Sequence, residues 1–218
     1  MKLISVHVSR PKSVTWQGRE VRTGIFKEPV RGRIRVARLN LEGDGQADLR
    51  VHGGKDKAVY AYPVEHYAPW ISELGRQLAF GQFGENLTVE GLQEDQVCIG
   101  DVLRIGTTLF QVSQPRTPCF KLGIRMEDDA FPQRFLESGR SGFYLRVLEE
   151  GELQAGDPIH LESRDPHGLT VLQICRLIYG DSGDPILMRR AAELAPLSRG
   201  WRMQFRQRLG QQESGDAS

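Results

Sequence analysis

The sequence predicts a mainly β protein with peripheral helices, in which a barrel-like body is followed by a small three-helix module. Three observations predict it. Glycine and proline are abundant, at 24 and 11 of 218 residues, which implies many turns and hence short strands. Alternating apolar residues recur in short runs separated by tight turns, the pattern of a closed or partly closed barrel rather than a doubly wound sheet. Composition changes at Ser163-Arg164-Asp165-Pro166-His167-Gly168, and beyond this linker the apolar spacing becomes helical. The body is expected over residues 1–163, the module over 164–212 and a disordered tail over 213–218.

Ile4, Val6 and Val8 alternate with polar residues in a first strand that Arg10-Pro11-Lys12 ends. Residues 15–21 read as a hairpin with Gly18 in the turn. Between Gly32 and Leu41 the apolar face changes near Ala37, which predicts a bulge. Glu42-Gly43-Asp44-Gly45 is a turn. The polar loop at 48–57 leads into a strand at 58–62 that Pro63 stops. Tyr67, Ile71 and Leu74 place a helix over 64–74. Residues 80–89 pass from loop into strand. Ile99-Gly100-Asp101 and Ala155-Gly156-Asp157 each launch a short alternating strand, so these segments share a shape. Gly106 turns the chain into residues 107–113, the strand that delivers Cys119. A helix is expected over 128–137, with Asp128 or Asp129 near its start and Gly139 past its end. Residues 143–148 form another strand. About nine strands result, with two or three helices.

In the module a helix over 171–178 stops at Gly180. Asp184 caps a second helix, with Pro185 at its first position, that runs to Leu194. Ser198 caps a third that reaches about Leu209, with Trp201, Phe205 and Leu209 on one stripe. Three helices of this size make too small a core alone, so the module is expected to pack on the barrel.

The net charge of +1 gives no case for nucleic acid or membrane as an obligatory partner. Cys98, Cys119 and Cys175 are widely spaced, which is neither a disulfide framework nor a zinc signature, and suits a reducing compartment. Cys98 and Cys175 sit in apolar patterns and read as core. His7, His66, His160 and His167 have no partner at metal-ligand spacing. The first eight residues are too short and polar for a signal peptide and no stretch approaches a transmembrane length, so a soluble, cytoplasmic protein is expected.

Three loops carry candidate chemistry. In His52-Gly53-Gly54-Lys55 the glycines let backbone N–H groups approach a ligand, and Lys55 and Lys57 add charge suited to an anion such as phosphate. The same loop also reads as a hairpin turn with solvated lysines. No Walker spacing is present, which argues against a P-loop nucleotide site. In Gly84-Glu85-Asn86-Leu87, Asn86 offers donors and an acceptor for a heterocycle edge and Glu85 an acid or base; turn chemistry is the other reading. In Gln114-Pro115-Arg116-Thr117-Pro118-Cys119-Phe120-Lys121 the prolines stiffen the loop. Arg116 and Lys121 are cations that favour a thiolate at Cys119, a nucleophile or metal ligand. A small buried hydrophobe is the alternative for this cysteine.

Taken together and in order, residues 52–59, Phe83-Gly84-Glu85-Asn86-Leu87-Thr88, Ile99-Gly100-Asp101 and Pro115-Arg116-Thr117-Pro118-Cys119 resemble the MOSC family, the fold of the molybdenum cofactor sulfurase C-terminal domain. The resemblance is closer to the bacterial YiiM-like subgroup and covers nearly the whole chain to about Leu161. The helical tail is similar to the 3-alpha domain of that subgroup. The resemblance implies a barrel-like fold that binds a molybdopterin-type cofactor. Cys119 matches the cysteine that ligates molybdenum in related amidoxime-reducing enzymes. Asn86 matches the asparagine of an arginine-proline-asparagine segment that contacts the cofactor there, whereas Gly84 and Glu85 depart from its arginine and proline. Thr117 and Pro118 also differ from the residues that precede that cysteine. His52, Gly53, Gly54, Lys55, Asn86, Arg116, Thr117 and Cys119 are thus the expected cofactor contacts.

The subgroup is similar to enzymes that reduce N-hydroxylated compounds, including N-hydroxylated purine bases. Cys119 would be the metal ligand, and Asp48 or Glu85 would relay protons. No flavin or iron–sulfur motif is present, so a flavoprotein reductase is expected as electron donor. Arg189, Arg190, Arg199, Arg202, Arg206 and Arg208 make either a surface that steers an acidic donor or a solvated helical face. A homodimer is compatible with these features. The rival reading is a carrier of cofactor or sulfur without turnover. A nucleic-acid-binding role for the arginine-rich tail is disfavoured by the near-neutral charge and the lack of interleaved aromatic and basic residues.

Overall fold

The computed structural model describes residues 1–47, 53–180 and 184–215, with side chains through residue 211. Asp48 and His52, both candidate site residues, lie outside the described residues. Among the described residues there are twelve strands and six α-helices. One sheet has the order β12-β8-β9-β10-β6-β7-β1-β4. Its members are β1 (Lys2–Val8), β4 (Glu28–Pro29), β6 (Val59–Pro63), β7 (Leu87–Glu90), β8 (Val102–Ile105), β9 (Thr108–Pro115), β10 (Phe143–Glu149) and β12 (Ile159–Ser163). β2 (Lys12–Trp16) and β3 (Arg19–Thr23) form the expected hairpin, and β5 (Ile34–Val36) pairs with β11 (Gly151–Leu153).

β6 and β7 run parallel, which requires a crossover, and α1 (Tyr67–Leu74) lies within it. β1 also meets the lead-in to β12. Leu3 N–H donates to the Asp157 carbonyl and Ile159 N–H to that of Met1, each at 3.0 Å. These bonds give the sheet its barrel-like closure. The two Gly-Asp segments do share local chemistry. Asp101 accepts from Cys98 N–H and Asp157 from Gln154 N–H, each at 2.9 Å and three residues back. The strands they launch, β8 and β12, pair with each other.

Three local expectations differ from the structure. Near Ala37 the chain makes a tight turn, not a bulge. Ala37 N–H donates to the Asn40 carbonyl at 2.9 Å, which returns Leu41 opposite Val36 and leaves Leu39 exposed. The bulge lies instead in β1, between Leu3 and Ser5, so the buried residues are Leu3, Val6 and His7 rather than Ile4, Val6 and Val8. In the crossover, residues 64–66 form a 3-10 turn, and Trp70 is buried beside Tyr67 in place of Ile71 and Leu74.

The module has no core of its own. One apolar cluster runs from Leu3, Leu87 and Phe110 of the body into Leu169, Ile174, Ala191, Leu197 and Phe205. Segment 94–101 fastens the module by backbone bonds: Ile99 N–H to the Leu169 carbonyl, Val171 N–H to that of Val97, and Leu172 N–H to that of Glu94. The buried Asp101 carboxylate also accepts from Asp165 N–H and Arg164 Nη1, each at 3.0 Å. A capping box of Thr170 and Gln173 starts α4 (Val171–Tyr179). Asp184 caps α5 (Pro185–Glu193), as its position implies. α6 (Arg199–Gly215) continues past Leu209 into the segment expected to be disordered. Arg208 donates to the Leu177 and Ile178 carbonyls at the end of α4, and Arg190 to the His167 carbonyl at 2.7 Å. These two arginines therefore hold the module together. No helix among the described residues is long and apolar enough to cross a membrane.

Two predictions follow from this packing. Phe205→Ala removes a fully buried ring from the shared core, so urea unfolding should show one cooperative transition destabilised by about 3–5 kcal/mol. His7 is buried and burial lowers its pKa, so the unfolded chain takes up a proton first. Stability should fall as pH drops below about 6.5, and a His7→Gln variant should lose part of that slope in urea titrations.

Candidate functional site

A second, largely aromatic cluster supports the loop around Cys119. Tyr62, Trp70, Phe83, Phe131 and Phe135 pack together with Leu122 and Met126, joining the crossover to α2 (Phe120–Met126) and α3 (Phe131–Glu137). On this cluster sits Arg116, in the loop after β9. Its guanidinium lies 4.5 Å from the Tyr60 ring centroid and 5.5 Å from that of Phe135. Arg116 Nη1 donates to the Phe83 carbonyl at 2.6 Å and to Tyr60 Oη at 3.1 Å. Tyr60 Oη in turn donates to the Ser141 carbonyl at 2.9 Å. Burial pushes the Tyr60 phenol well up, which keeps it neutral and able to fill both roles. Arg116 N–H bonds the Gly142 carbonyl. Gly142 has φ 63°, and an added Cβ would lie 2.5 Å from the Ala61 carbonyl oxygen, so this close approach requires glycine.

Above Arg116 opens a solvent-facing cleft bordered by the segment after β3, the Asp44 loop, β6, the Gly84 turn, the Cys119 loop and β10. The half-buried thiol of Cys119 lines it, together with Lys57, Lys121 and the ring of Tyr144. Lys57 and Arg116 both lie within electrostatic reach of the Cys119 sulfur. Burial lowers the Lys57 ammonium, with Cys119 and Asp56 opposing. Burial raises the Tyr144 phenol, with Arg116 opposing. Lys27 and Asp44 form a nearly dry ion pair in the wall, with side chains 7% and 1% exposed. Burial pulls Lys27 below the usual lysine range despite its partner. By contrast, Cys175 is a core thiol that burial pushes up to about 11, and Cys98 is equally buried, as expected for both.

The structure brings Cys119, Arg116 and Asn86 together at this cleft and leaves other expected residues outside it. Both Asn86 amide hydrogens are committed, and its oxygen already accepts one bond. Its Oδ1 accepts from Tyr60 N–H at 3.1 Å, and its Nδ2 donates to the His7 carbonyl and to Asp44 Oδ2 at 3.2 and 2.9 Å. It therefore shapes the wall rather than offering a free edge to a heterocycle. Glu85 is fully buried and turned into the protein. Its carboxylate accepts from Tyr67 Oη, Gly81 N–H, Phe83 N–H and Thr88 Oγ1. That commitment removes it as a proton relay to the cleft. Gly53, Gly54, Lys55 and the exposed Thr117 do not line the cleft. Residues 55–57 form one 3-10 turn, whose threefold repeat points Lys55 and Lys57 to different sides, and Lys57 is the one that reaches the cleft. Gly84 has φ 80°, and a Cβ there would meet Ile25 Cγ1 at 2.8 Å, so no arginine fits at this place.

Sequence reasoning missed Lys27, Asp44, Tyr60 and Tyr144 as site residues, and named Lys57 only alongside Lys55 as a charge for an anion. One signal was available for the pair in the wall. Lys27 directly follows the apolar pair Ile25-Phe26, and a charge drawn into a buried segment needs a partner. That the partner is Asp44, 17 residues on, is a tertiary fact.

The MOSC domain model matches residues 48–160 and the YiiM-like, 3-alpha helix domain model matches residues 169–212. The chain is 43% identical over 203 residues to YflK of Bacillus subtilis (strain 168), covering 93% of this chain and 92% of that protein. It is 34% identical over 180 residues to a protein named reductase from Gibberella moniliformis, a match spanning 81% of this chain but 32% of that longer protein. The crystal structure of YiiM from Geobacillus stearothermophilus superposes with a TM-score of 0.82 at 38% identity, over 95% of this chain and 98% of that one. Fold, linker and helical module agree with these matches: the chain belongs to the MOSC family, in the YiiM-like branch that carries a C-terminal 3-alpha domain.

Proposed function

We propose that this protein is a molybdenum-cofactor-dependent oxidoreductase that reduces N-hydroxylated compounds, N-hydroxylated purine bases among them. The observation that carries the reading is the setting of Cys119: a half-buried thiol in a cation-lined cleft with a phenol beside it. MOSC domains are associated with the molybdenum cofactor, and the donor set suits that group. A soft sulfur fits a thiophilic metal, and lysines fit a phosphate-bearing pterin. Cys119 would ligate the metal. Lys57 and Lys121 would hold the anionic end of the cofactor. Arg116 would fix the loop and add positive potential from below, since its Nη1 is already bonded within the protein. A relative named reductase supports the class of reaction.

Reducing an N–OH group takes two electrons and two protons and yields N–H and water. When bound, the cofactor supplies the oxygen-atom abstraction. The protein must deliver protons at the reacting oxygen. Tyr144 is the group placed for this, because it lines the cleft within electrostatic reach of Cys119. Burial keeps its phenol protonated at neutral pH, and the Arg116 charge would steady the phenolate left after transfer. Electrons would come from a separate flavoprotein reductase. Arg199 and Arg206 of α6 are exposed and would favour an acidic surface on that donor.

Cys119→Ala, made in a host that synthesises the cofactor, should lose its molybdenum by metal analysis. A molybdenum-to-protein ratio equal to wild type would overturn the ligand assignment. Tyr144→Phe should keep its molybdenum yet reduce an N-hydroxylated base at least about a hundredfold more slowly in a dithionite-driven assay. Molybdenum bound without N–O reduction across a broad panel of N-hydroxylated substrates would favour a carrier over an enzyme.

A further inference from the structure

The mechanism above uses Lys57 but none of the groups that hold it in place. Lys57 closes the short turn Lys55–Lys57, and the residue before it, Asp56, is tied down twice. Its carboxylate Oδ1 accepts from Arg146 Nε at 2.8 Å and lies 2.6 Å from Arg146 Nη2. Its carbonyl lies 2.6 Å from Ser113 Oγ. Both partners reach onward to the helical module. Arg146 Nη2 donates to the Pro196 carbonyl at 3.1 Å, in the loop between α5 and α6. The Ser113 carbonyl accepts from Ser198 N–H at 3.2 Å, in the same loop. Leu194 and Leu197 of that loop are fully buried in the shared core, so the anchor is rigid. A third bond, Arg146 Nη1 to Gln111 Oε1 at 2.7 Å, fixes the guanidinium to its cross-strand neighbour on β9.

A guanidinium that meets three acceptors from three elements is a geometric clamp. The planar fork sets all three directions at once, and an ammonium cannot reproduce them. The Arg146 and Asp56 side chains are 17% and 22% exposed, so water and salt loosen the pair less than a surface bridge. We propose that Arg146 is a positioning residue through which the three-helix module sets the place of Lys57 in the cleft. On the reading of the cleft as an anionic-cofactor site, on which the functional half of this inference rests, the module supports cofactor binding although its helices do not line the cleft.

The test compares the full-length wild type with Arg146→Met and Arg146→Lys by hydrogen exchange and metal analysis. Arg146→Met keeps the apolar stem and removes every donor. Amides of residues 53–60 should exchange at least about tenfold faster while those of α4 keep their protection, and molybdenum occupancy should fall about tenfold, as for loss of a group that orients a ligand. Arg146→Lys, which can still meet Asp56 but not all three acceptors, should recover part of both. Unchanged exchange at 53–60 in folded Arg146→Met would overturn the coupling. Faster exchange there with wild-type molybdenum occupancy would overturn its role in binding. If Arg146→Met does not fold, Asp56→Ala cuts the same link from the other side, by removing the side-chain acceptor, and is read against the same outcomes. A wild type that takes up no molybdenum would count against the cofactor reading alone, because the exchange result still decides the coupling.

Discussion

A cation held almost out of water organises this molecule. Removing a guanidinium from solvent costs several kcal/mol unless the protein replaces its hydration. Around Arg116 that replacement comes from elements far apart in sequence: the Phe83 carbonyl, the Tyr60 hydroxyl and the ring faces of Tyr60 and Phe135. The polar bonds cannot be lost one at a time without stranding a buried charge, so they fix the turn before β7, the start of β6 and the loop after β9 relative to one another. Cys119 follows three residues later and inherits that precision. The glycine at 142 belongs to the same constraint, since any larger residue would push its carbonyl off the Arg116 amide.

The cleft above Arg116 divides its polar groups by task. Glu85, Asn86, Lys27 and Asp44 spend their hydrogen bonds within the protein, on one another, on Tyr67 and Thr88 and on the backbone, and so build walls. Cys119, Lys57, Lys121 and Tyr144 turn toward the open space. A site arranged this way presents a soft donor, cations and a neutral acid on a frame that does not reorganise when a ligand arrives. The helical module takes part in that frame from behind, through the shared core and through the Arg146 clamp.

Much of the fold was legible because its signals are local. The hairpin at Gly18, the Asp184-Pro185 helix start and the Trp201, Phe205, Leu209 stripe each rest on neighbours in the chain. Where a local rule met a tertiary one, the tertiary one won. The bulge in β1 rotated the buried face to His7, and packing against the aromatic cluster chose Trp70 over Ile71. In the site, the order of the loops pointed to Cys119 and Arg116. Glu85 read as an acid or base because a carboxylate beside glycine is chemically open in a sequence; four donors close it in the fold.

Turns, caps and periodicity act over a few residues, so the β-rich body, the helical module that follows it and the loop on which Cys119 stands can be read from the amino-acid order alone. Which lysine faces the cleft, that Asn86 and Glu85 are framework, and that Tyr144 and the Lys27–Asp44 pair border the site all follow from the folded chain. Those choices depend on burial and on partners tens of residues away, and neither is written in any one stretch of the chain.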